Sequence, residues 1–146
     1  MSDALPLKVR KAIKIARSLG YDCEDISPRE FYDYMTGKTV SGDRITLEEV
    51  LRSEFLMVHE IVEISKLKKK GITIDNTTVV NRHSKTIYEA HLTAMEYEIK
   101  HAFNKGDLAY VKLRLIHVRE WLDDENLPKE LIQKLKSIIE KLSENR

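Results

Sequence analysis

The chain of 146 residues is long enough for one domain with its own hydrophobic core, and its 42% hydrophobic and 34% charged composition excludes a disordered polymer. A formal net charge of +1 lacks the clearly basic balance of nucleic-acid binders, so nucleic acid is not an expected partner. Cys23 is the only cysteine, which excludes an internal disulfide and points to a cytoplasmic setting.

The first helix is expected after Pro6, where Val9, Ala12, Ile13, Ala16 and Leu19 form a stripe at helical spacing that Gly20 stops. Lys8, Arg10, Lys11, Lys14 and Arg17 interrupt this region, so it does not read as a signal peptide. No apolar run in the chain approaches the roughly 20 residues of a membrane span, and no membrane partner is expected. Ser27-Pro28-Arg29-Glu30 has the form of a capping box and opens a short helix ending near Gly37. Thr46-Leu47-Glu48-Glu49 is a second box, opening a helix predicted to reach Lys69 with Gly71 as its stop.

Thr39–Ile45 is not obviously helical, and residues 72–80 have the β-branched content of a short hairpin turning at Asp75-Asn76. Thr86, or Ser84 in its place, caps the next helix, which runs to Asn104. Lys105-Gly106 then turns the chain, Asp107 caps a helix through Leu122, and Pro128 opens a last one from about Lys129 to Leu142. The expected fold is a single all-α domain over residues 1–146, a bundle of about six helices with an αα-hairpin at Gly106.

Charge is segregated along this plan. Residues 21 to 63 carry eleven acids against Arg29, Lys38, Arg44 and Arg52, between a basic first helix and the Lys66, Lys68, Lys69 and Lys70 cluster. Such blocks usually attract each other within a fold. The single glutamine, Gln133, among many Glu, Lys and Ile is a mix common in heat-adapted proteins.

The informative residues are polar ones on apolar faces. On a wheel of about 100° per residue, Glu54 falls within the stripe of Leu47, Val50, Leu51, Val58, Ile61 and Val62. His91, Glu98 and His101 likewise fall on the face of Ile87, Ala90, Ala94, Met95 and Ala102. A buried carboxylate must be paired, protonated or bound to metal, so Glu54, His91, Glu98 and His101 are candidate metal ligands. Glu98 and His101 have the Glu-x-x-His spacing used in carboxylate-bridged helical bundles, although the chain holds only one such pair.

His59 and Glu63 share the face of a His-Glu-x-x-Glu segment that lacks the second histidine of the zinc-protease pattern, and they are the candidate acid–base residues. On the wheel, Glu60 and Glu63 fall away from the apolar stripe. Zn, Fe or Mn suits such donors, in a mononuclear site or one completed by a second subunit. The same residues also suit a satisfied hydrogen-bond network that only fixes helix register, with Arg119 as a cation for Glu54 or Glu98.

Outside this cluster, His83 and His117 are expected to be superficial. Trp121 and Tyr110 lie off the main stripe of their helix, as contact surface would, and five scattered glycines exclude a phosphate-binding loop. The alternative function is a non-catalytic module that oligomerises or binds protein through the ridge of Leu131, Leu135, Ile138 and Leu142.

Overall fold

A computed structural model describes residues 4–37, 46–77, 84–125 and 127–144. They form seven α-helices: α1 (Ala4–Ser18), α2 (Pro28–Thr36), α3 (Leu47–Leu51), α4 (Glu54–Lys69), α5 (Ser84–Asn104), α6 (Leu108–Glu120) and α7 (Ile132–Glu144). Single 3-10 turns occupy Trp121–Asp123 and Lys129–Leu131, and there is no strand among the described residues. The fold is all-α.

Local chemistry sets the helix ends. The Ser27 hydroxyl accepts from the Glu30 amide at 3.0 Å while the Ser27 amide donates to the Glu30 carboxylate at 2.9 Å, with Pro28 just inside. Gly106, at a φ of +78°, makes the turn between α5 and α6, and Asp107 caps α6 by accepting from the Tyr110 amide at 3.1 Å.

The helix expected from Thr46 to Lys69 is instead two. Ser53 takes an extended backbone and its hydroxyl accepts from the Leu56 amide at 3.2 Å, so it starts α4 afresh. Residues 72–77 do not pair as half of a hairpin. Asp75 accepts from both the amide and the hydroxyl of Thr77, at 2.8 and 2.7 Å, closing an Asx turn. Residues 78–80 of that expected hairpin, the 39–45 segment and His83 lie outside the described residues.

The central element is α4. Met57, Val58, His59, Glu60, Ile61, Val62, Glu63, Ile64, Ser65 and Leu67 are all buried, so from Met57 to Ser65 this helix has no solvent side. The polar residues of that stretch therefore point into the protein whichever way they face, which corrects the outward placement of Glu60 and Glu63 read from the wheel. One apolar cluster joins α1, α2 and α4 to Ala90 and Ala94 of α5. A second joins Leu92, Met95 and Ile99 of α5 to α6 and α7. Helix α5 thus lies between two cores. The ridge of Leu131, Leu135, Ile138 and Leu142 fills the second of them, so it is not the partner surface expected from its spacing.

The segregated charges meet within the chain: Lys68 pairs with Glu30 at 3.0 Å, Lys70 with Glu89 at 2.6 Å and Arg17 with Asp25 at 3.0 Å. Gly37, after α2, packs so closely on the Asn76 backbone that an added Cβ would stand 2.5 Å from its carbonyl oxygen. Gly37→Ala must displace backbone there, and thermal unfolding is expected to show a loss of about 1–3 kcal/mol. An unchanged melting temperature would contradict this contact.

Candidate metal centre

Four helices, α2, α4, α5 and α6, bring titratable groups together in the protein interior. His59 and Glu63 lie one turn apart on α4, where the i, i+4 spacing puts both on one face, and His91 comes from the facing turns of α5. The three form a group whose ligand atoms lie within 4.8 Å of one another. His59 Nε2 is 3.1 Å from His91 Nδ1 and 3.3 Å from Glu63 Oε1, and His91 Nδ1 is 2.8 Å from the same oxygen. Tyr34 of α2 donates its hydroxyl to the other oxygen of Glu63. Glu60 stands beside the group, with an oxygen 3.8 Å from His59 Nε2.

The far nitrogen of His59 is tied down by Glu98. Nδ1 lies 2.8 Å from Glu98 Oε1 and must donate to this ionised carboxylate, which leaves Nε2 facing Glu63 and His91, where it donates while the ring is protonated and offers a lone pair once that proton leaves. Glu98 is fully buried and fully satisfied. Arg114 of α6 grips it with Nε at 2.7 Å and Nη2 at 3.1 Å, and the Tyr110 hydroxyl donates at 2.5 Å. Arg114 also reaches His117 at 3.2 Å, so that histidine joins the network rather than standing alone at the surface.

These contacts set the protonation of the groups. Burial alone would raise the Glu98 carboxyl, but the His59 hydrogen bond and the charges of His59 and Arg114 outweigh it and hold the group at about 2. Glu63 is likewise pulled well below the usual carboxylate range, against burial, by its bonds to His59 and His91. For His59, burial favours the neutral ring, yet the Glu63 and Glu98 bonds and the Glu60 charge overcome it and raise the imidazole above its usual 6.5. Carboxylates crowd this ring, and it answers by holding a proton.

The six residues singled out in the sequence therefore divide into groups. His59, Glu63 and His91 converge, and Glu98 stands behind His59. Glu54 and His101 form a separate pair at 2.7 Å, with Lys11 bridging to Glu54 at 3.0 Å, and no described contact links them to the other group. The cation on Glu98 is Arg114 and not Arg119, which is exposed.

Tyr34, Tyr110 and Arg114 were not anticipated from sequence. Tyr34 sits on a short amphipathic helix and Arg114 on the border of a helix face, where neither signals a buried partner. Trp121 and Tyr110, expected as contact surface, both serve the centre: the indole lies on the His91 ring with centroids 4.6 Å apart, and the phenol holds Glu98. Among the described residues no helix is long and apolar enough to cross a membrane. Comparison of the chain with known protein families, with curated proteins and with solved structures finds no match.

Proposed function

We propose that this protein binds a divalent transition metal, Zn, Fe or Mn, through His59 Nε2, Glu63 Oε1 and His91 Nδ1. The observation that carries the reading is the spacing of those three atoms, 2.8 to 3.3 Å apart. Ligand bonds of about 2.0–2.2 Å in a tetrahedral site place donor atoms roughly 3.3 Å from one another, so a small expansion of this triangle accepts an ion. Two imidazoles and one carboxylate leave at least one coordination position open, as in catalytic rather than closed structural sites. Hydrolytic or oxygen-related chemistry at that position is the corresponding activity, with Glu60 beside it. The Glu98–His59 bond supports the same reading, because a carboxylate behind a ligating histidine fixes its tautomer and strengthens it as a donor.

Access favours small reactants. His59 and Glu63 are enclosed, and His91, with 28% of its side chain exposed, is the ligand nearest solvent, under Trp121.

Trp121 is the only tryptophan, so its fluorescence reports on this site alone. Titrating Co²⁺ or Cu²⁺ into chelator-treated protein is expected to quench the emission at one ion per chain. Zn²⁺ should compete for the site and raise thermal stability, by about 2.7 kcal/mol at a hundredfold excess over its dissociation constant. Metal and proton compete for Nε2, so affinity should fall as pH is lowered. Saturating ions with no quenching and no thermal shift would retire the metal reading and leave a register-fixing network.

A further inference from the structure

Glu63 presents its two oxygens to different partners. Oε1 faces the donor triangle, 2.8 Å from His91 Nδ1 and 3.3 Å from His59 Nε2, while Oε2 accepts the hydroxyl of Tyr34. Both Glu63 and Tyr34 are buried. Turning Oε2 toward an ion beside Oε1 would break this bond in the protein interior, where water is not at hand to replace it.

The phenol is held in place by contacts outside the centre. Phe31, one turn earlier on α2, is fully buried in the first core, and Glu30 pairs with Lys68 of α4 at 3.0 Å. The ties from Glu30 to Lys68 and from Tyr34 to Glu63 run in opposite chain order. Helix α2 therefore lies antiparallel along α4, with its register fixed at two points.

A carboxylate binds a metal through one oxygen or chelates it through both, and the choice changes the coordination number. On the basis of the metal reading, we propose that Tyr34 is a positioning residue: it confines Glu63 to coordination through Oε1 and keeps free the place that Oε2 would take. Three single-atom donors leave room for a small oxygen ligand such as water, which a chelating Glu63 would displace. A phenol that only satisfied a buried carboxylate would stabilise the fold as well, but it would leave the coordination number untouched. Stability alone does not decide between the two.

The probe is Co²⁺, titrated into the metal-free full chain and into Tyr34→Phe and read by visible absorption. Its bands weaken and move to shorter wavelength as the coordination number rises above four. The parent is expected to give the intense four-coordinate spectrum at one ion per chain. Tyr34→Phe keeps the ring and the Glu30–Lys68 tie, and circular dichroism checks its fold. Its Co²⁺ spectrum should be weaker and shifted to shorter wavelength at the same stoichiometry. X-ray absorption of the Zn²⁺-loaded parent needs no variant and should count four donors around the ion.

A parent that takes up no Co²⁺ removes the metal reading, and the role of Tyr34 with it. Uptake by both chains with the same spectrum leaves the metal reading standing and overturns the role of Tyr34. Five or six donors around Zn²⁺ in the parent overturn it as well.

Discussion

His59→Ala is expected to abolish metal uptake and to cost about 3–5 kcal/mol of folding stability even in the metal-free protein. Both effects follow from the ring's two nitrogens. Nε2 is a corner of the donor triangle, so without it only Glu63 and His91 remain to hold an ion. Nδ1 is a hydrogen-bond partner of the buried Glu98, at 2.8 Å, and its loss strips that carboxylate of a donor while leaving Glu63 less compensated.

His91→Ala should separate the two roles. It removes a ligand as surely, but from a partly exposed ring, so the metal should be lost with a stability cost nearer about 1 kcal/mol. Metal content after gel filtration and denaturant unfolding of the metal-free forms measure the two quantities. Full metal loading of His59→Ala would sink the ligand assignment; equal stability losses in the two variants would sink the role given to Nδ1.

The pH dependence of His59 runs the same way. Its folded value is raised, so the stability it contributes is fully present below about 6.5 and is lost as pH rises through the raised value. Bound metal replaces the proton, and the alkaline loss should therefore shrink in the metal-loaded protein.

Arg114→Leu is expected to lower the melting temperature by roughly 10 °C, from a loss of about 3 kcal/mol in a chain of this size. The guanidinium fills one site on each oxygen of a carboxylate that has no access to water. Removing it leaves the charge with His59 and Tyr110 alone. The same change should move the acid limit of the fold. In the parent chain Glu98 is held at about 2, against an ordinary 4.5, so its contribution is present above the ordinary value and lost as pH falls toward 2. With the arginine gone the carboxyl titrates higher, and acid unfolding should begin at a higher pH. Circular dichroism across an acid titration reads this, and unshifted acid unfolding would contradict the pairing.

Helix starts and stops were legible in the sequence wherever a few adjacent residues decide them. The Ser27 capping box, the Gly20 and Gly106 turns and the Asp107 cap need only local hydrogen bonds and backbone sterics. The all-α class follows from the same signals together with apolar spacing, and the presence of ionisable groups on buried faces could be read from α5 in the same way.

Which of those groups meet was a tertiary matter. A wheel assumes one inner and one outer side, an assumption that fails for α4 because other helices enclose it, and that a restart at Ser53 makes worse. His59, Glu60 and Glu63 looked peripheral for that reason and are buried. The donor triangle, the separation of the Glu54–His101 pair and the grip of Arg114 on Glu98 depend on which helices pack against which face. Apart from the His59–Glu63 pair on one turn of α4, these contacts join residues 16 to 47 positions apart, and no local pattern encodes such a pairing.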